Sequence, residues 1–283
     1  MASITNRVLH HLEKSRGISV QQVVAENLLG KRYRVIKGTI RPKPDYDDAW
    51  LLALACEARI VFDVGSNIGQ SALLFLHPGN VEEIILVDAN PLALSQAAQN
   101  LILNGSSERA RFVCAFVSNR VAEEVDFYTV GTGAAGSMYA SHAKTASTLK
   151  SKQSLFTTTI DHLVEVFDCR PDLVKIDVEG AERLVLQGAT ELARQRITQF
   201  FVEMHSSSEL PMSDNARQIL NWCQEMNYQA WYLKDKTRLE TPEPIRARGR
   251  CHLLLLPCEK ELPRTLAGLE QGAPLEKVQI SKN

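Results

Sequence analysis

The sequence predicts an α/β protein built on an open, mostly parallel sheet with helices on both faces. Three observations carry this reading. Short apolar runs alternate with helical patterns from about residue 59 to residue 226. Most of these runs are apolar throughout rather than at every second residue, as strands covered on both faces are. The first run ends in a glycine turn that opens a helix, Asp63-Val64-Gly65-Ser66-Asn67-Ile68-Gly69.

Taken in order, residues 1–29 read as helix. Val8, Leu9 and Leu12, then Val20, Val23, Val24 and Leu28, recur at helical spacing, and Gly30 is the stop. Residues 31–45 read as irregular and basic, with Pro42 and Pro44. A helix over Asp47–Ala58 follows, striped by Leu51, Leu52, Leu54 and Ala55. Strands are expected at Arg59–Val64, Ile84–Val87, Ala110–Val117, Leu173–Ile176 and Gln199–Met204. Helices are expected at Gly69–Leu76, Pro91–Leu103, Ala181–Leu192 and Asn215–Met226. A strand at Val125–Val130 leads into a stretch rich in Gly, Ala and Ser, Gly131–Ser147. Its first part, Gly131–His142, reads either as a surface loop without a role or as a lid that offers Ser137, Tyr139 and His142 to an acceptor. Tyr228–Leu233 and Cys251–Pro257 read as an antiparallel pair at the sheet edge, and residues 259–283 as a loosely attached tail. The expected organisation is a helical extension over 1–45, a ligand-binding domain over 46–258 and the tail.

Of the 283 residues, 45% are hydrophobic and 23% charged, which excludes disorder as the overall state. The 32 basic and 33 acidic residues leave a net charge of -1. That excludes a global electrostatic footprint for nucleic acid or an anionic membrane. The basic loop Lys234–Arg250 also carries acids and prolines and lacks aromatic interleaving, so it reads as a solvated loop. No apolar run approaches the ~20 residues of a membrane span, and the N-terminus lacks the apolar block of a secretory signal. The six cysteines form no C-x-x-C pair and read as reduced, mostly buried thiols of a cytoplasmic protein. Self-association is left open.

The glycine turn is the most informative segment. Gly65 and Gly69 let the backbone turn sharply and approach a ligand, and the N–H groups of the following helix favour a negative group. The second strand ends in Asp88, about 20 residues on, where a carboxylate commonly takes ribose hydroxyls. An adenosine cofactor follows. The loop is Gly-x-x-x-Gly rather than G-x-G-x-x-G. Asp63 precedes it, and a carboxylate there repels a pyrophosphate but suits the ammonium and sulfonium of S-adenosylmethionine.

A second segment, Lys175-Ile176-Asp177-Val178-Glu179-Gly180-Ala181-Glu182, ends one apolar strand. Phe201, Glu203 and His205 share parity on the next. If the two strands are neighbours, Asp177, Glu203 and His205 gather at their carboxyl ends, where open sheets bind ligands. Lys175, charged within an apolar run, requires a carboxylate partner. Glu179 and Glu182 read as first-turn acids of a helix, and Thr159 as the cap of another.

Together, Phe62-Asp63-Val64-Gly65-Ser66-Asn67-Ile68-Gly69, Thr158-Thr159-Ile160-Asp161 and Leu173 to Glu182 make the chain resemble the FkbM-type S-adenosylmethionine-dependent methyltransferases, over about residues 59–205. The resemblance implies the class I methyltransferase (Rossmann-like) sheet of seven strands with the last antiparallel. It implies cofactor positions at Asp63, Gly65, Asn67, Gly69, Asp88 and Asn90. It also implies O-methylation of a sugar or natural product in secondary metabolism. His162 departs from the family, which commonly has an acid there. The mechanism expected is in-line attack of an acceptor oxygen, with His205 taking its proton while Asp177 or Glu203 orients the imidazole. The alternatives are a divalent metal on Asp177, Glu203 and His205, which is the less favoured, and a cofactor-binding module without catalysis.

Overall fold

The computed structural model describes residues 22–41, 43, 45–128 and 152–280. Residues 1–21 of the helix expected over 1–29 and the stretch Gly131–His142 lie outside the described residues.

The described part of the N-terminal extension is a β-hairpin, not a helix. β1 (Val23–Leu28) pairs antiparallel with β2 (Lys31–Ile36). Leu29 and Gly30 turn the chain at φ 52° and 77°, the left-handed pair that a tight hairpin needs. Gly30 therefore makes a turn rather than a helix stop; both roles use positive φ. Tyr33 and Val35 alternate inward on β2. The hairpin is fastened to the helix Pro91–Leu103: Asn100 and Asn104 accept the backbone N–H groups of Ile36 and Arg34 at 2.9 and 3.0 Å. Asn100 Nδ2 also donates to the Ile68 carbonyl at 3.1 Å, which ties this face to the glycine turn.

The remaining strands in chain order are β3 (Ile60–Val64), β4 (Glu83–Asp88), β5 (Ala110–Cys114), β6 (Phe116–Val117), β7 (Glu124–Tyr128), β8 (Lys152–Thr158), β9 (Leu173–Ile176), β10 (Gln199–His205), β11 (Tyr228–Tyr232), β12 (Thr237–Arg238) and β13 (Arg250–Pro257). The main sheet runs β12-β11-β13-β10-β9-β3-β4-β5. Pairing is parallel from β5 through β10, and β13 is antiparallel to both β10 and β11. This is the expected seven-stranded sheet with a two-residue eighth strand, β12, at its rim. The last long strand is inserted between β10 and β11 rather than standing at the edge.

Alternate residues of each strand feed two cores. Val61, Leu86, Leu173 and Phe201 pack on one face with the helices Asp48–Ala55, Gln70–Leu76 and Pro91–Leu103. Phe62, Val87, Val174 and Phe200 pack on the other with the helices Ile160–Phe167, Glu182–Gln187 and Met212–Met226. Burial on both faces is why these strands read as continuous apolar runs.

Three further expectations are corrected. The run Ala110–Val117 breaks at Ala115, and β6 leaves to join β8 and β7 in a small separate sheet. The helix over Ala181–Leu192 is two helices, Glu182–Gln187 and Thr190–Arg194. Between them lies Gly188, where a Cβ would stand 2.1 Å from the Ser118 carbonyl oxygen. The tail is not loose: Leu266, Leu269 and Leu275 are buried in the first core. Its turns are short and irregular, so its apolar residues show no period.

No disulfide joins the cysteines; Cys223 and Cys251 are buried, but Cys114 and Cys258 are exposed, against the expectation of mostly buried thiols. Among the described residues, no helix is long and apolar enough to cross a membrane.

Candidate active site

The glycine turn sits at the carboxyl end of β3, between β4 and β9. Gly65 and Gly69 both take left-handed φ, 78° and 83°. A Cβ on Gly65 would stand 1.7 Å from the Asp177 carbonyl oxygen, and one on Gly69 would stand 2.8 Å from the Ala97 Cβ. In both cases the close approach is to the protein itself. The turns after β3 and β9 touch because Gly65 has no side chain.

Asp88 closes β4 beside this turn. The Asn67 N–H donates to its Oδ2 and the Asn90 N–H to its Oδ1, each at 2.7 Å. Each oxygen keeps a further lone pair. Burial pushes the carboxyl up to about 6 against these two hydrogen bonds. The Asn90 side chain caps the helix Pro91–Leu103 by accepting from Leu92 and Ala93. Val87, Phe116, Val117 and Phe127 give an apolar lining to the cleft that Asp88 also lines. The buried Ser66 Oγ and Asn67 Oδ1 make no hydrogen bond among the described residues. An apolar slot beside an oriented carboxylate fits an adenosine.

Asp63 is fully buried and does not reach the cleft. It accepts from Ser71 Oγ at 2.6 Å and lies 3.6 Å from Lys175 Nζ, its partner in the β3–β9 register. Burial raises its carboxyl, and Lys175 opposes the rise. Direct contact with a cofactor ammonium, expected from the sequence, is not what this position offers; Asp63 instead holds Lys175. That lysine also reaches Asp177 Oδ2 at 3.1 Å and the Gly65 carbonyl at 3.2 Å. Burial would lower its pKa, but Asp177 and Asp63 raise it above the usual lysine range. The carboxylate partner expected for Lys175 is thus double.

β9 and β10 are neighbours, and Asp177, Glu203 and His205 do converge. His205 Nε2 lies 3.9 Å from Asp177 Oδ1 and 3.6 Å from Glu203 Oε1. Two acids whose sequence position suits a helix start join them. Glu179 Oε2 is 3.6 Å from His205 Nε2. Glu182, wholly buried, accepts from His205 Nδ1 at 2.9 Å and from the Gly180 N–H at 2.8 Å. Burial lowers the imidazole pKa, but the bond to Glu182 and the charges of Asp177 and Glu179 override it and push it up to about 10. At neutral pH His205 is an imidazolium, the opposite of what a resting base requires. Its orienting partner is Glu182 rather than Asp177 or Glu203.

Glu179 has the complementary property. It takes left-handed φ, 52°, a strained setting for a residue with a long side chain. Burial raises its carboxyl to about 7, against the pull of His205. Glu203 is raised by burial, but His252, His205 and Arg250 bring it down to about 2; Arg250 Nη1 binds its Oε1 at 2.9 Å.

A second cavity opens on the other side of the glycine turn. Asp45, Asp47, Asp48 and Glu203 line it together with Arg41, Lys175 and Arg250. Gly65, Asn67, Asp177 and Glu179 line both cavities. Thr159 and Asp161, also part of the resemblance, stand apart as caps. Thr159 Oγ1 accepts the His162 N–H at 3.0 Å, and Asp161 accepts those of Glu191 and Leu192 at 2.9 Å.

The chain is similar to several known methyltransferases. A release factor glutamine methyltransferase of Cereibacter sphaeroides is 32% identical over 108 residues, 38% of this chain and 39% of that protein. The chain thus matches well under half the length of that curated relative. Among solved structures, a methyltransferase FkbM from Methylobacillus flagellatus KT superposes with a TM-score of 0.47 at 16% identity, over 70% of this chain and 44% of that one. TYW2 of M. jannaschii, solved in complex with AdoMet, superposes with a TM-score of 0.43 at 9% identity, over 84% of this chain and 86% of that one. The model of the methyltransferase FkbM domain matches residues 63–230, from Asp63 on β3 to Ala230 on β11. The chain belongs to the FkbM methyltransferase family.

Proposed function

We propose that the protein transfers a methyl group from S-adenosylmethionine to a hydroxyl oxygen of a small-molecule, sugar or natural-product acceptor. The observation that carries this reading is that Gly65, Asn67, Asp177 and Glu179 line both cavities. An adenosine in the first cleft and an acceptor in the second would meet there. When bound, S-adenosylmethionine supplies a methyl carbon already activated by its sulfonium. The chain's own part is alignment and removal of the acceptor proton. Asp88 is assigned the ribose diol, and Val87, Phe116 and Phe127 the adenine faces. Asp177, held by Lys175, and Glu179 present carboxylates at the junction, where a cationic sulfonium is favoured.

Glu179 is assigned the proton. A base works best when its pKa lies near the operating pH, and Glu179 at about 7 meets that condition. His205 is assigned a positioning role: as an imidazolium fixed by Glu182 it holds Glu179, Asp177 and Glu203 in one array. The O-methyl specificity and the natural-product acceptor draw their support from the family resemblance.

The test is a panel of hydroxylated acceptors incubated with the purified protein and S-adenosylmethionine, followed by mass spectrometry of S-adenosylhomocysteine and product. Acceptor-dependent release of S-adenosylhomocysteine is expected. Calorimetry that finds no S-adenosylmethionine binding would overturn the reading.

A further inference from the structure

His252 lies on β13 directly opposite Glu203 in the β10–β13 register. Its ring is buried at 2% exposure between Trp50 and Phe201, with its Nε2 3.6 Å from Glu203 Oε2. Arg250 holds the other oxygen of Glu203, Oε1, so Oε2 is turned toward the imidazole. Asp47 completes the group: one donor atom each of Asp47, Glu203 and His252 lies within 4.8 Å of the other two.

Asp47 is the second and independent observation. It occupies the N-cap of the helix Asp48–Ala55, where an aspartate ordinarily accepts a backbone N–H, yet its side chain makes no capping bond. The residue is 6% exposed and lines the second cavity. Among the described residues its carboxylate makes neither a hydrogen bond nor an ion pair. A buried carboxylate without a hydrogen-bond partner is costly, and this one, offset only by the charges of His252 and Lys175, stands beside a second carboxylate and an imidazole. A cation between the three removes that cost.

We infer that Asp47, Glu203 and His252 form a binding site for one divalent first-row transition ion on the floor of the second cavity. Two carboxylate oxygens and one imidazole nitrogen suit Mn²⁺ or Zn²⁺ better than Mg²⁺, which prefers oxygen alone. Metal–ligand bonds of roughly 2.0–2.2 Å bring donor atoms closer together than 4.8 Å, so the three side chains close on the ion by shifts of about 1 Å. The other histidine group, Asp177, Glu203 and His205, shares Glu203 but holds the Lys175 ammonium 3.1 Å from Asp177 Oδ2, which opposes a further cation there. The ion's remaining positions face the cavity, where an acceptor oxygen could take one of them. The site itself rests on the side-chain geometry and not on the methyltransferase reading.

Mn²⁺ is the probe, because the free thiols compete poorly for it. The chelator-stripped full chain is titrated with Mn²⁺, and the loss of the free-ion paramagnetic resonance signal is followed. One equivalent should bind. Asp47→Asn and His252→Gln should each weaken binding by about tenfold or more, and Asp177→Asn should change it by no more than about twofold. Melting curves taken with and without Mn²⁺ check folding; the wild type should gain thermal stability with the ion and the two ligand variants should not. S-adenosylmethionine affinity in Asp47→Asn should stay at the wild-type level, which separates loss of the ion from loss of the cofactor cleft. Absence of Mn²⁺ binding in the wild type, unaltered binding in folded Asp47→Asn, or loss of binding in Asp177→Asn alone would each overturn the inference.

Discussion

Glu179 and His205 lie 3.6 Å apart and titrate in separate ranges. The carboxyl is raised to about 7 and the imidazole to about 10, so the pair becomes carboxylate and imidazolium as pH rises above about 7 and stays so to about 10. Turnover should therefore rise as pH increases through about 7, where Glu179 loses its proton, and the pH–rate profile reads this directly. Glu179→Gln should lower turnover by roughly 10²–10⁴-fold and flatten that rise, with cofactor affinity nearly unchanged by calorimetry. At the other end of the cleft, Asp88→Ala should weaken S-adenosylmethionine binding by about 1.5–3 kcal/mol, the range for hydrogen bonds to a charged group. The Asp88 carboxyl is raised to about 6, so wild-type affinity should be full above that pH and decline as pH falls through it. An affinity that is flat between pH 5 and 8 would remove Asp88 from the ribose. Asp88, Asp177, Glu203 and His205 were legible because each ionisable group ends an apolar strand. Glu179 and Glu182 were not. An acid just after a strand and before a helix has a sufficient explanation in the helix N-terminus. Nothing in the sequence signals that the chain at Glu179 turns left-handed, or that Glu182 is carried inward against His205. The depth of Asp63 is hidden for a related reason: parity gives the face of a side chain but not its depth.

Among the elements, the glycine turn after β3 has two functions, and only one was legible. The spacing of Gly65, Gly69 and Asp88 pointed to a ligand. The contact of Gly65 with the Asp177 carbonyl needs the β3–β9 pairing, which joins residues more than a hundred positions apart. A methyl group 1.7 Å from a backbone oxygen cannot be accommodated by a side-chain shift. Gly65→Ala should therefore lower the melting temperature as well as cofactor affinity, because it pushes apart the turns that carry Asn67 and Asp177. Wild-type stability with lost affinity would mean that the glycine serves the ligand alone. The same distinction separates the strands that were read well from the hairpin that was not. β3, β4, β9 and β10 are buried on both faces and announce themselves by composition. β1 is mostly exposed, and its Val23, Val24 and Leu28 satisfy a helical spacing as readily as an extended one. Pairing with β2 and the Leu29–Gly30 turn decide between the two, and both are tertiary facts.

At the scale of the whole molecule, the C-terminal segment braces one wall of the second cavity. The helix Arg264–Ala267 packs on the helix Asp48–Ala55, and Trp50 Nε1 donates to the Leu269 carbonyl at 3.3 Å. The Tyr46 carbonyl accepts the Gly272 N–H at 2.9 Å. These contacts brace the helix whose first turn brings Asp47 and Asp48 to the second cavity, some two hundred residues away in sequence. The glycine turn and Asp88 are braced separately, by Asn100 and by the β3–β4 pairing. A perturbation of the tail should thus be felt unequally. Leu269 is 4% exposed within the first core, and its truncation to alanine should cost about 2–5 kcal/mol of stability, as large-to-small changes at buried positions do. Urea melts of Leu269→Ala measure that loss. In the same variant, S-adenosylmethionine affinity should stay within about twofold of wild type, because the hydrogen bonds that fix the cleft, from Asn100 and the β3–β4 pairing, lie outside the tail. Mn²⁺ affinity should fall together with stability, because Asp47 sits at the end of the braced helix. Equal weakening of both ligands would mean that the two cavities share one support. Loss of the cofactor alone would mean that the tail braces the β4 side instead.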